Sequence, residues 1–118
     1  MRLPDGFILA MVLPVATGAI ATASRADDGV HFFEKKIRPV LVKHCYRCHS
    51  ERSSKLQGGL RVDSAALLLR GGDSGPIIVP GRPSESLLLE SLKYESFEMP
   101  PMGKLPDSII ADFERWIE

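Results

Sequence analysis

The sequence predicts an all-α fold in which short helices alternate with irregular loops. Apolar residues recur at helical spacing over residues 30–44 and again over residues 105–117. The stretch between them is rich in glycine and proline, which favour turns and loops. No pattern of strands alternating with helices predicts a βαβ unit. At 118 residues, the chain is long enough for one small domain.

The amino-terminal segment has the features of a secretory signal peptide. Arg2 gives it a positively charged start, and apolar and small residues follow almost without interruption over residues 7–20. Small residues at 21–23 and at 24–26 then supply two candidate cleavage sites.

We therefore predict a cleaved signal peptide over residues 1–26 and a single domain over residues 27–118, exported to the periplasm or cell envelope. The alternative is an uncleaved membrane anchor. Against an anchor, the apolar run is shorter than the roughly 20 residues that a spanning helix needs, and Pro14 interrupts it.

The first predicted helix of the domain starts at Val30 and continues to His44. Pro39 lies inside it, so we expect a kink or an early break there. Residues 27–29 are a polar lead-in to this helix. Residues 50–57 are polar and predict a loop, and residues 58–63 predict a short extended segment.

The middle of the chain predicts a brief helix and a long loop. Ser64 is a plausible cap for a helix that runs to Leu69 and is closed by the glycines at 71–72. Residues 73–83 are rich in glycine and proline but contain the apolar run 77–79. We therefore expect an irregular loop with a buried middle.

Two helices separated by a proline-rich loop complete the prediction. The first begins at Pro83 or Ser84 and ends near Tyr94. Residues 98–104 contain two consecutive prolines and cannot be helical. The last helix starts at Pro106. Its apolar face consists of Leu105, Ile109, Ile110, Phe113, Trp116 and Ile117.

Cys45-Tyr46-Arg47-Cys48-His49 is the most informative motif in the chain. Cys-x-x-Cys-His is the attachment sequence for c-type haem. The two residues between the cysteines make about one helical turn. Both sulfurs can then reach the same edge of a porphyrin while the histidine lies beneath its iron. We predict one covalently bound haem c attached through Cys45 and Cys48, with His49 as an axial ligand.

Three other kinds of site use two cysteines at this spacing. A thioredoxin-like redox pair lies at the head of a helix in a βαβ unit, which this sequence does not predict. A zinc site needs four ligands, so the other two would have to come from His49, His44 or His31. A disulfide between Cys45 and Cys48 would close a tight loop and add little stability. We favour haem because the adjacent histidine and the predicted export both fit it.

A haem held by one histidine leaves a second axial position on the iron. Beyond the predicted signal, the methionines are Met99 and Met102, both on the proline-rich loop before the last helix. A thioether raises the reduction potential relative to a second imidazole. We favour Met99, because Met102 follows both prolines and adjoins a glycine. His44 and His31 are weaker alternatives, since both precede the motif on the proximal side.

From Phe33 to Ile117 the sequence resembles the planctomycete-type cytochrome c domain. The haem motif is common to all c-type cytochromes, whereas several glycine and proline runs are specific to this group. These runs are residues 36–41, 58–61, 71–76, 79–81 and 99–101.

The resemblance implies a cytochrome c-like fold, with small helices and irregular loops wrapped around one haem. Its haem-linking residues correspond to Cys45, Cys48 and His49, and its Met-Pro loop corresponds to Met99. Such domains stand at the amino end of long exported proteins, so we expect this chain to be the first part of a longer one.

Taken together, these features predict an exported monohaem cytochrome domain that transfers single electrons to a redox partner protein or an attached redox domain. Lys plus Arg and Asp plus Glu each number 15, so nothing indicates nucleic-acid binding. We expect no membrane insertion after signal cleavage, and no nucleophile–base pair indicates an enzyme. Two alternatives stay open, namely a haem enzyme with an open sixth position and a sensing or docking module for downstream domains.

Overall fold

The first helical segment runs from Thr22 to His44 in the computed structural model, which describes residues 10–15, 17–18 and 22–118. Helices α1 and α2 are joined in it by a π-helical turn. The elements in chain order are α1 (Thr22–Phe32), the π-helical turn (Phe33–Ile37), α2 (Arg38–His44), α3 (Ala65–Arg70), a 3₁₀ turn (Pro83–Glu85), α4 (Leu87–Leu92) and α5 (Asp107–Ile117). The described residues form no strand, only an isolated bridge between Gly72 and Gly75. The all-α prediction is confirmed.

A widened turn precedes Pro39, where we expected a kink or break. The Arg38 N–H bonds to the carbonyl of Phe33, five residues back. Pro39 has no N–H and occupies the first turn of α2, where a donor is not needed. The helix therefore continues through the proline. The polar residues 27–29 lie inside α1, so their prediction as a lead-in was wrong.

Much of the predicted signal peptide, residues 1–9, 16 and 19–21, lies outside the described residues. Residues 10–15 and 17–18 have no regular secondary structure and are exposed. None of the described helices is long and apolar enough to cross a membrane.

Helix α3 follows the predicted boundaries because both of its ends carry local signals. The Ser64 hydroxyl accepts a hydrogen bond of 3.2 Å from the Leu67 N–H, as an N-cap does. Gly71 ends the helix with a φ of 79°, and a Cβ there would clash with the Gly75 carbonyl. The prediction of a capped helix closed by glycine is confirmed.

Helix α4 is shorter than predicted at both ends. Pro83 opens a 3₁₀ turn, and α4 begins only at Leu87. Between them, the buried Ser86 hydroxyl bonds to the Arg82 carbonyl at 3.0 Å. The carboxyl end falls short of Tyr94, whose left-handed φ of 62° cannot continue a helix.

The core lies where the first helical segment, α4 and α5 meet the central loops. Its buried apolar residues are Ile37, Leu41, Val62, Leu68, Ile77, Ile78, Leu89, Leu92, Leu105, Ile110, Phe113 and Ile117. Ile77 and Ile78 confirm the prediction of a loop with a buried middle. Four of the six apolar residues predicted for the last helix face are buried, while Ile109 and Trp116 are half-buried. This core supports the segment that carries the cysteines.

Candidate haem site

The Cys-x-x-Cys-His motif forms a helical turn directly after α2. The Cys45 carbonyl accepts hydrogen bonds from the Cys48 N–H at 3.2 Å and from the His49 N–H at 2.9 Å. The Cys45 N–H in turn bonds to the Leu41 carbonyl at 2.9 Å, which ties the turn to a buried residue of the helix. The structure therefore brings both cysteines and the histidine onto one turn, as the spacing predicts.

Both cysteines are unpaired, half-buried thiols. Cys45 packs on the core, and burial, with a smaller contribution from Cys48, raises the pKa of its thiol to about 11. Reactive cysteines in thiol–disulfide enzymes have a lowered pKa instead. The environment of Cys45 therefore differs from that of the reactive cysteine in a thioredoxin-like redox pair.

The ring of His49 is held by a main-chain carbonyl. Its Nδ1 atom lies 3.1 Å from the carbonyl oxygen of Leu60. Because a carbonyl can only accept, Nδ1 carries the proton in this bond. The other nitrogen, Nε2, then has its lone pair free to bind a metal, which is the tautomer that an axial ligand needs.

Residues 60–63 run alongside residues 49–51 and are bonded to them at three points. Besides the Leu60 carbonyl on the His49 ring, the Val62 N–H donates to the His49 carbonyl at 2.8 Å. The Asp63 carboxylate accepts from the Glu51 N–H at 3.0 Å. His49 is consequently restrained through both its ring and its main chain.

Met99 lies on a separate loop that is anchored to the end of α4. It is half-buried, and its N–H bonds to the Ser91 carbonyl at 3.2 Å. The next residue, Pro100, is buried, and its carbonyl accepts a hydrogen bond from the Tyr94 hydroxyl. Met102 is 94% exposed. Of the two methionines, only Met99 is sheltered by protein.

The remaining histidines are on the surface. His31 on α1 and His44 at the end of α2 are both exposed. Among the described residues, no three His, Cys, Asp or Glu side chains come together as a metal-binding group.

A cavity of about 340 Å³ opens beside the central loops, lined by Arg61, Arg70 and the glycines at 71–72, among others. None of residues 45–49 lines it. The nearby turn of residues 72–75 is closed by its own hydrogen bonds, with the Gly75 N–H donating to the Gly72 carbonyl at 2.9 Å.

The sequence pattern did not indicate Leu60, Ser91 or Tyr94 as supports of the site. Leu60 and Ser91 act through carbonyl oxygens, which every residue possesses, so their side chains give no signal. The opposite charges of Arg61 and Asp63 within a glycine-rich loop were the available indication of a local ion pair.

A family model described as planctomycete cytochrome C matches residues 45–103, which is half of the chain. The match begins at Cys45 and includes both cysteines, His49, the glycine-rich loops and Met99. The chain belongs to the planctomycete cytochrome C family. Membership in this family makes it a c-type cytochrome domain, for which covalently bound haem is implied. No curated protein and no solved structure matches the chain.

The residues of this cytochrome domain fit a covalently attached haem. Cys45 and Cys48 provide two unpaired thiols one helical turn apart. Their neighbour His49 has its Nδ1 proton bonded, which leaves a nitrogen lone pair for iron. This donor set matches what c-type attachment requires.

Proposed function

We propose that this domain binds one haem c and transfers single electrons through it. The observation that carries the proposal is the bond from His49 Nδ1 to the Leu60 carbonyl, on the turn that also holds both cysteines. That bond fixes the orientation of the His49 ring and the tautomer that an axial ligand needs. The haem supplies the ferric–ferrous couple, while the protein orients the ring, excludes water and sets the potential.

In this proposal Cys45 and Cys48 would each hold the haem through a thioether, and His49 Nε2 would bind its iron. The attachment turn is braced by α2, whose buried Leu41 packs in the core. Such a support would limit movement of His49 between the two oxidation states and so lower the reorganisation energy of electron transfer.

We assign the sixth ligand to Met99. Its support comes from the half-buried position of this residue and from the hydrogen bonds that hold its loop to Ser91 and Tyr94. Met102 is almost wholly exposed and has no comparable shelter. A methionine ligand would favour ferrous iron and keep the sixth position closed, as an electron carrier requires.

The proposed fold around the haem is cytochrome c-like. The helical segment that leads into the motif packs against α5 through Phe33 and Trp116, whose ring centroids are 5.3 Å apart. Between these two ends lie the irregular loops that contain Leu60 and Met99. The order of helix, haem motif, loops, Met-Pro loop and final helix is that of cytochromes c.

We further propose that residues 1–26 direct export and are removed, so that the domain acts in the periplasm or cell envelope. Haem attachment in bacteria takes place outside the cytoplasmic membrane, which fits an exported chain. The partner would be a redox protein or a redox domain attached to the same polypeptide.

The test is to mature the protein in the periplasm and to measure its mass under denaturing conditions. We expect the mass of the polypeptide plus one haem, and a Cys45→Ala, Cys48→Ala variant should lose that increment. His49→Ala should change the absorption spectrum, whereas His44→Ala, the matched control one residue before the motif, should leave it unchanged. A wild-type protein at bare polypeptide mass would contradict the proposal.

A further inference from the structure

The side chains of Arg61 and Asp63 form a two-pronged ion pair next to the candidate haem site. Arg61 Nε donates to Asp63 Oδ1 at 3.2 Å, and Arg61 Nη2 donates to Asp63 Oδ2 at 3.0 Å. The same Oδ2 atom accepts the Glu51 N–H at 3.0 Å. The carboxylate therefore connects the arginine to the main chain two residues beyond His49.

Residues 60–63 and residues 49–51 are paired by hydrogen bonds. The ion pair lies at the outer end of this pairing, where Asp63 bonds to Glu51. At the inner end, the Leu60 carbonyl accepts the His49 Nδ1 proton. Arg61 and Asp63 flank Val62, which is buried and bonds to the His49 carbonyl. If the outer end opens, the Leu60 carbonyl loses a restraint on its distance from the His49 ring.

In two other arginine–carboxylate pairs of the described residues, the carboxylate has no hydrogen bond to a distant main-chain N–H. Arg38 pairs with Glu34 along one helical segment, and Arg82 pairs with Glu85 across a 3₁₀ turn. Both are exposed pairs of neighbours in sequence, and such pairs contribute little to stability. The Asp63 side chain is only 17% exposed and also bonds to a distant main-chain N–H.

We propose that Arg61 and Asp63 are positioning residues that hold the Leu60 carbonyl on His49 Nδ1 and thereby tune the iron bound to this histidine. This inference rests on the proposed function, since it assumes that His49 is an axial ligand. Neither residue touches the haem in this proposal. Both act through the main chain of residues 60–63.

The expected consequence follows from the chemistry of metal-bound imidazole. A strong hydrogen bond from Nδ1 makes the ring a better electron donor, which stabilises the ferric state. Loosening the bond weakens the donor and raises the reduction potential. Loosening also exposes the Nδ1 proton, so that it exchanges faster with solvent.

The experiment compares Asp63→Asn and Arg61→Gln in the haem-loaded protein. The two variants change the local charge in opposite directions, so a purely coulombic effect would raise the potential in the first and lower it in the second. Positioning predicts a rise in both. It also predicts that the His49 Nδ1 proton, followed by NMR in the ferrous protein, exchanges at least about tenfold faster in both.

Glu85→Gln is the matched control, because it replaces the carboxylate of an exposed arginine pair with an amide, as Asp63→Asn does. We expect it to change neither the reduction potential nor the exchange rate of the His49 Nδ1 proton. If either amide variant fails to retain haem, Arg61→Lys takes its place, since it keeps the charge and loses the two-pronged geometry.

A lower potential in Arg61→Gln, or unchanged proton exchange in either variant, would overturn the inference while leaving the cytochrome function intact. A wild-type protein without covalent haem would instead overturn the proposed function, and the inference with it. The denatured mass of the wild type distinguishes these two failures.

Discussion

Phe33 and Trp116 join the two ends of the domain, with ring centroids 5.3 Å apart and an interplanar angle of 39°. Phe33 begins the π-helical turn, and Trp116 lies in the last turn of α5. Trp116 also meets Phe113 edge-on at a centroid distance of 6.4 Å. Such aromatic contacts stabilise beyond the area they bury. The segment leading to the haem motif is thus fixed to the final helix.

We expect Phe113→Ala to destabilise the domain strongly. Phe113 is 1% exposed, and removing a buried aromatic side chain costs about 3–5 kcal/mol through lost burial and the cavity that remains. Phe97→Ala is the matched control, since that ring is 52% exposed and its loss should cost less than about 0.5 kcal/mol. Denaturant unfolding of both variants measures the difference. Equal effects would show that α5 does not anchor the fold.

Local signals made much of the helical structure predictable from sequence. Ser64 and Gly71 mark the two ends of α3, and Pro106 precedes the first residue of α5. Apolar spacing predicted the face of α5 that is buried. Each of these signals acts within one or two helical turns, so no knowledge of the tertiary structure is needed to interpret it.

Features that depend on distant contacts were not predictable. The left-handed conformation of Tyr94 ends α4 early, and nothing in its residue type indicates it. Gly58 and Gly59 have φ values of 60° and 61°, so the predicted extended segment begins with a turn. The bond from His49 to Leu60 depends on how the motif turn meets the loop that contains Leu60, which residue types alone do not specify.

Lowering the pH should remove the stabilisation that the ion pair of Arg61 and Asp63 gives to the fold. The hydrogen bond from Arg61, assisted by the Glu51 N–H, holds the pKa of the Asp63 carboxyl at about 2, below its usual 3.8. The unfolded chain therefore binds this proton more tightly than the folded one. The stabilisation is complete above about pH 5 and disappears as the pH falls towards about 2.

Asp63→Asn should accordingly lower the free energy of unfolding at neutral pH, and the difference from wild type should become small at about pH 2. Urea unfolding of both proteins over this pH range measures it. Glu85→Gln, in an exposed pair, serves as the control and should show little loss at any pH. A constant difference between wild type and Asp63→Asn across the range would exclude a contribution from ionised Asp63.

The predicted signal peptide can be tested by amino-terminal sequencing. Protein exported to the periplasm should begin at Ser24 or Asp27, directly after one of the two small-residue sites. Replacing Ala23 and Ala26 with leucine should block cleavage, since signal peptidase requires small residues there. Recovery of Met1 on wild-type protein in the membrane fraction would identify the segment as an anchor.

Met99 should distinguish an electron carrier from a haem enzyme. If its sulfur binds iron, the ferric protein should show the weak near-infrared charge-transfer band of His–Met haem, and the ferrous protein should bind carbon monoxide slowly. Met99→Ala should abolish the band, lower the reduction potential and open the iron to added ligands. Met102→Ala is the control and should do little, because Met102 is 94% exposed.

The alternative to a methionine ligand is an iron with an open sixth position. A wild-type protein with a high-spin ferric spectrum and rapid carbon monoxide binding has an open sixth position. Met99→Ala would then change neither property, and its half-buried side chain would serve only to pack the loop beside Pro100. Since an open position lets iron bind a small substrate directly, that outcome would favour the haem-enzyme alternative over electron transfer.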